Sequence, residues 1–120
     1  MISAKIHHVS INVEDLNKSK NFYMSLFNLK VLNRPQLSVD GVWLEMEDGR
    51  QIHLIQGDVP TDVGQHFALE VNNLEEACAH ILNYGIKIRG PFQTGNASQI
   101  HFNDPDGNRI EVTQINTKSH

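Results

Sequence analysis

Four side chains able to bind a divalent metal recur at one separation along this 120-residue chain: His8 and His66, and His53 and Glu111, each pair 58 residues apart. Imidazole nitrogen and carboxylate oxygen, without thiolate, suit borderline divalent ions such as zinc, nickel, cobalt, manganese or iron. Taken singly, each is an ordinary residue of a half-exposed strand, where His and Glu often have no ligand role. The same offset, however, sets Val13 on Val71, Leu16 on Leu74, Asp48 on Asp106, Gly49 on Gly107 and Ile52 on Ile110. One symmetry operation therefore gathers the four candidate ligands.

The elements that must position them follow from hydrophobic periodicity. Residues 7–13 alternate, with Val9, Ile11 and Val13 on one face and His8, Ser10 and Asn12 on the other. Asp15 or Asn17 then caps a helix carrying Leu16, Phe22, Tyr23, Leu26 and Phe27. Strands are expected at 29–34, stopped by Pro35, at 41–46 and at 51–56. In the last of these Ile52 and Leu54 mark the core side, so His53 lies with Gln51 and Ile55.

Residues 57–64 form a linker-like stretch, after which the pattern restarts. A strand at 66–71, a helix at 74–84 ending near Gly85, a strand at 86–89 and a loop at 90–97 lead to a hairpin over 98–113. Its turn is Asp104-Pro105-Asp106-Gly107-Asn108. Ile110 and Val112 point one way, and Arg109, Glu111 and Thr113 the other. A one-residue slip would exchange Glu111 for Ile110.

The expected fold is α+β: two tandem βαβββ modules, 4–57 and 64–115, within one domain spanning 1–120. Each sheet buries one face against its helix, and the two polar faces are expected to curl into a shared metal-binding cleft. That cleft receives His8, Ser10, Asn12, Trp43, Glu45, Gln51, His53, His66, Glu70, His101, Arg109, Glu111 and Thr113. Ser10, Asn12, Trp43, His101 and Arg109 are the candidate substrate pocket, with Trp43 a stacking wall or ordinary core. His7 is expected to face away and be structural, His80 to be solvent-exposed, and His120 to lie in a polar tail without a role.

Composition limits the partners. A net charge of -4 with no run of Lys or Arg argues against nucleic acid and acidic membrane surfaces, leaving small molecules or proteins. The lone Cys78 excludes an internal disulfide and a thiolate zinc site, and fits a reducing compartment. With no signal-like N-terminus and no apolar run of about 18–20 residues, the expectation is a soluble cytoplasmic protein.

Taken together, His8-Val9-Ser10-Ile11-Asn12-Val13-Glu14-Asp15-Leu16 with Phe22-Tyr23, then His66-Phe67-Ala68-Leu69-Glu70-Val71, then Asp104-Pro105-Asp106-Gly107-Asn108-Arg109-Ile110-Glu111, resemble the vicinal oxygen chelate superfamily, the glyoxalase and bleomycin-resistance fold. The resemblance covers nearly the whole chain. It implies paired βαβββ modules around a metal, often in homodimers, with His8, His66 and Glu111 matching the commonest ligands. The fourth ligand position is Glu in typical glyoxalase I and Gln in methylmalonyl-CoA epimerase; here it is His53, a departure from the glyoxalase pattern. The implied chemistry is chelation of two adjacent substrate oxygens, whose developing negative charge a Lewis acid stabilises. The leading expectation is a metal-dependent lyase or isomerase of glyoxalase I type, with Glu111 as ligand and proton carrier and Glu45 and His53 as further bases. The alternatives are a non-haem iron dioxygenase, a fosfomycin-type thiol transferase and a metal-free drug-binding protein.

Overall fold

Alternation at Val9, Ile11 and Val13 produces β1 (His8–Val13), which opens a computed structural model describing residues 1–116. His120 lies outside the described residues. Asp15 accepts the Lys18 backbone N–H at 3.1 Å, satisfying a donor that the first turn would leave unpaired, and starts α1 (Leu16–Leu26). Then come β2 (Lys30–Leu32), β3 (Gly41–Glu45) and β4 (Gln51–Gln56). The sheet order is β1-β4-β3-β2, with β1 and β4 parallel and the other pairs antiparallel. Val13, Tyr23, Leu26, Leu44, Ile52 and Leu54 are its buried core. Gly41 lets β3 approach closely, since a Cβ there would sit 2.6 Å from the Leu54 carbonyl oxygen.

The second compact unit begins at Asp62. It contains β5 (His66–Glu70), α2 (Leu74–Leu82), β6 (Arg89–Thr94), β7 (Ala97–Asn103) and β8 (Arg109–Ile115). Asn73 caps α2 by accepting the Glu76 N–H at 3.0 Å, and Glu75 and Glu76 lie at the positive end of the helix. The order β5-β8-β7-β6 repeats that of the first sheet, over a core of Leu74, Ile81, Ile100, Phe102, Ile110 and Val112. The fold is α+β, two tandem βαβββ repeats, and the offset holds in the strands: His8 and His66 open β1 and β5, while His53 and Glu111 are each third in β4 and β8.

One expected strand is misplaced. Residues 86–88 are not strand, and β6 instead runs through Gly90 and Pro91, expected to be loop. These breakers are tolerated because β6 is an edge strand whose pairing with β7 shifts register between Arg89 and Phe92, where proline's missing N–H costs no ladder bond. The strand expected at 29–34 is shorter, only Lys30–Leu32. No described helix is long and apolar enough to cross a membrane.

The turn between β7 and β8 is built on one buried carboxylate. Asp104 Oδ1 accepts the backbone N–H groups of Asp106 at 3.0 Å and Asn108 at 2.9 Å, and Oδ2 accepts Asn108 Nδ2 at 3.0 Å. Gly107 takes φ +94 with nothing near the position of a Cβ, so its conformation, rather than space, demands glycine. The resulting register sets His101 opposite Glu111 and Asn103 opposite Arg109. Asp104→Ala strands two half-buried backbone donors and is expected to destabilise the fold by about 2–4 kcal/mol, read from urea unfolding. Gly107→Ala is expected to cost about 1–2 kcal/mol in the same measurement.

Candidate metal centre

In the first unit the candidate side chains form a stack. Sheet order puts His53, on β4, between β1 and β3. Its ring lies 4.0 Å from that of His8, 11° from parallel, and 4.6 Å from Trp43, 13° from parallel. His53 is buried, and burial, reinforced by the neighbouring His8, His7 and Arg34 charges, lowers its pKa to about 4. The ring is therefore neutral near pH 7. Its Nε2–H donates to Gln51 Oε1 at 2.8 Å, leaving the lone pair on Nδ1. His7, expected to face away, instead meets His8, with their Nδ1 atoms 2.9 Å apart. Trp43 is half-buried against His53, and Asn12 donates through Nδ2 to the Asp58 carbonyl at 2.8 Å. Ser10 is exposed and Glu45 half-buried opposite Lys30 and Gln51. His80 is exposed on α2, edge-on to Tyr84.

In the second unit the strands bring two imidazoles to one carboxylate. His66 Nδ1–H donates to the Gly64 carbonyl at 2.8 Å, a bond that turns Nε2 toward Glu111 Oε1, 3.0 Å away. An imidazole lone pair and a carboxylate oxygen at that distance repel each other unless a cation lies between them, either a proton on Nε2 or a metal ion. His101 reaches the same oxygen from β7, its Nε2 at 3.6 Å, with only 15% of its side chain exposed. Burial lowers the His101 pKa, and the Glu111 carboxylate opposes that shift. His101 Nδ1 is buried without a partner, which costs about 1–3 kcal/mol. The ligand atoms of His66, His101 and Glu111 all lie within 4.8 Å of one another. Two imidazoles and a carboxylate, one imidazole already oriented by a backbone carbonyl, fit a borderline divalent ion.

Arg109, beside Glu111 on the same face, is held by a residue that sequence reasoning missed. Its Nε donates to Asp62 Oδ2 at 3.1 Å and its second guanidinium nitrogen to Oδ1 at 3.0 Å. Asp62 also accepts from Asn103 Nδ2 at 3.1 Å and the Gly64 N–H at 3.0 Å. Asp62 lies in the linker-like stretch, where an acidic residue is unremarkable in sequence. A hollow of about 650 Å³, lined by Leu74, Cys78, Leu82, Ile88 and Pro91, lies on the helix side of this sheet, away from the imidazoles.

The family model for the Glyoxalase/Bleomycin resistance protein/Dioxygenase superfamily matches residues 5–112. The chain belongs to this superfamily. A Synechocystis protein named probable lactoylglutathione lyase is 30% identical to this glyoxalase-superfamily chain over 126 residues, covering 92% of the chain and 95% of the relative. The lactoylglutathione lyase of Schizosaccharomyces pombe is 26% identical over 152 residues; the match covers 98% of this chain, which spans about half, 50%, of that relative. Among solved structures, a Bacillus anthracis protein assigned to the glyoxalase family superposes with a TM-score of 0.85 at 19% identity, covering 96% of this chain and 98% of the other. The fosfomycin resistance protein FosX from Listeria monocytogenes, solved with Mn(II) and dihydroxypropylphosphonic acid, superposes at 0.79 with 23% identity, covering 95% and 93%. At these identities the two structures establish the shared fold.

The Asp62 pairing carries a pH signature. Hydrogen bonds from Asn103, then Arg109 and the Gly64 N–H, lower the Asp62 pKa to about 2. Because the folded value lies below the unfolded value of about 3.9, the ionised carboxylate stabilises the folded state above that pH. The contribution is lost as pH falls through the folded value. Wild type is expected to be more stable than Asp62→Asn by a constant margin from neutrality down to about pH 5, narrowing as the pH falls through about 2 and gone by about pH 1. Urea unfolding of both proteins across that range checks this.

Proposed function

We propose that this chain is a metal-dependent lyase or isomerase of the glyoxalase I type, polarising two adjacent oxygens of a small carbonyl or thiohemiacetal substrate. The observation that carries this reading is the opposition of His66 Nε2 and Glu111 Oε1 at 3.0 Å, with the other His66 nitrogen spent on the Gly64 carbonyl. The proposed metal residues are His8, His66 and Glu111, with His53 at the variable fourth position. A bound divalent ion would supply Lewis-acid stabilisation of the oxyanion that develops on the substrate.

The chain's own groups do the rest. The Gly64 carbonyl holds His66 in the tautomer whose Nε2 is available. Glu111 takes a proton from the carbon next to the carbonyl and returns it to the adjacent carbon, a transfer that needs no oxidant. His53, neutral through burial, and Glu45 are further proton acceptors. Ser10, Asn12, Trp43, His101 and Arg109 line the substrate side, and Asp62 offsets the Arg109 charge. The protein is proposed to be cytoplasmic and homodimeric, without nucleic-acid or membrane partners.

The lactoylglutathione lyase relatives suggest the first substrate to try, the thiohemiacetal of a 2-oxoaldehyde and glutathione. Mildly purified protein is expected to carry a divalent metal and to form the thioester from that adduct. Glu111→Gln is expected to lower kcat/KM by about a hundredfold or more. A metal-free protein that takes up no added Zn, Ni, Co, Mn or Fe would overturn the reading and favour a metal-free drug-binding protein. Two imidazoles and one carboxylate in the second unit also match the set used by non-haem iron oxygenases, the second reading. Oxygen consumption with Fe(II) and a catechol, without thioester formation, would select it. Thiol transfer to fosfomycin would instead select the thiol-transferase reading, to which a Bacillus licheniformis relative named metallothiol transferase FosB lends support.

A further inference from the structure

The repeat pairs His66 and Glu111 with His8 and His53, and sets His101 on Trp43, a residue that cannot bind a metal and so gives His101 no ligand role. We propose that His101 is itself a metal ligand, through Nε2, alongside His66 Nε2 and Glu111 Oε1; this rests on the metal-dependent reading above. The strand order is what makes it available. β8 is flanked by β5 and β7, so His66 and His101 approach the Glu111 carboxylate from opposite sides, and His101 is the cross-strand partner of Glu111.

The two separations from Glu111 are those of donors around one ion. Glu111 Oε1 lies 3.0 Å from His66 Nε2 and 3.6 Å from His101 Nε2. The second distance is beyond a hydrogen bond, so His101 and Glu111 do not satisfy each other directly. Two donors each about 2.0–2.2 Å from one ion stand about 3.0–3.6 Å apart when their bonds diverge by about 90–120°. Both observed distances fall in that interval.

The His101 nitrogens add a second argument. Nδ1 is buried without a partner, and Nε2 has no acceptor within hydrogen-bond reach at Glu111. A neutral ring therefore has a poorly satisfied nitrogen in either tautomer. A metal on Nε2 satisfies that atom and confines the cost to one buried N–H, small beside a metal–imidazole bond.

The test uses the full chain loaded with Co(II) or Cu(II), comparing wild type, His101→Gln and His8→Gln. Chelator competition gives the Co(II) Kd, and pulsed EPR of the Cu(II) form counts coordinated imidazoles. His101→Gln is expected to weaken Co(II) binding by about a hundredfold or more and to remove one imidazole from the count, with circular dichroism of the metal-free protein unchanged. If His101→Gln fails to fold, His101→Asp takes its place; it is expected to bind Co(II) with one imidazole fewer and shifted Co(II) absorption bands. Unchanged affinity and imidazole count in a folded His101 variant would overturn the proposal while leaving metal dependence standing. Weakened affinity with an unchanged count would also overturn it, making His101 a positioning residue for Glu111. Loss of an imidazole in His8→Gln bears on the His8 assignment alone. Failure of wild type to bind any divalent metal would overturn the functional reading itself.

Discussion

The polar face of the second unit depends on a buried carboxylate in a turn. Asp104 gathers two backbone N–H groups and the Asn108 amide, and that turn sets which residues of β7 and β8 face each other. Because strand side chains alternate, the register places Ile100, Phe102, Ile110 and Val112 in the core and His101, Arg109 and Glu111 on the other side. A shift by one residue would bury a carboxylate and expose two core residues. The apolar packing and the ligand geometry are therefore one constraint, and each resists any change that would spoil the other.

The two repeats use the same position for different ends. His53 is sandwiched between His8 and Trp43, buried and neutral, its Nε2–H given to Gln51. Glu111 keeps 17% of its side chain exposed and faces two imidazoles. Here the Arg109–Asp62 pair matters: a bare guanidinium beside Glu111 would compete with any other cation for its carboxylate. By accepting both Arg109 donors, Asp62 offsets that charge locally and leaves Glu111 to the imidazoles and whatever they bind.

Much of this was legible in the sequence. The alternation of Val9, Ile11 and Val13, the caps at Asp15 and Asn73, and the recurrence of strand openings follow from local rules and a repeat. The position of β6 was not, because Gly90 and Pro91 are breakers everywhere except on an edge with an irregular register, and being an edge is a property of the whole sheet. Simple alternation turns His7 away from His8, yet His7 precedes β1, where the alternation does not hold, and its ring meets His8.

Sequence alone determined which residues share a face and which recur between the halves, because side-chain period and turn chemistry are local. Glu111 and His66 could be singled out in that way. Tertiary structure decided what each of them touches. Asp62, 47 residues from Arg109 in the chain, becomes its partner only once β5 lies against β8. His101 comes level with Glu111 only through the antiparallel register of β7 and β8. Pairing between strands is a long-range choice made by the packing of the whole core, so the neighbours of a side chain across a sheet cannot be read from its neighbours along the chain.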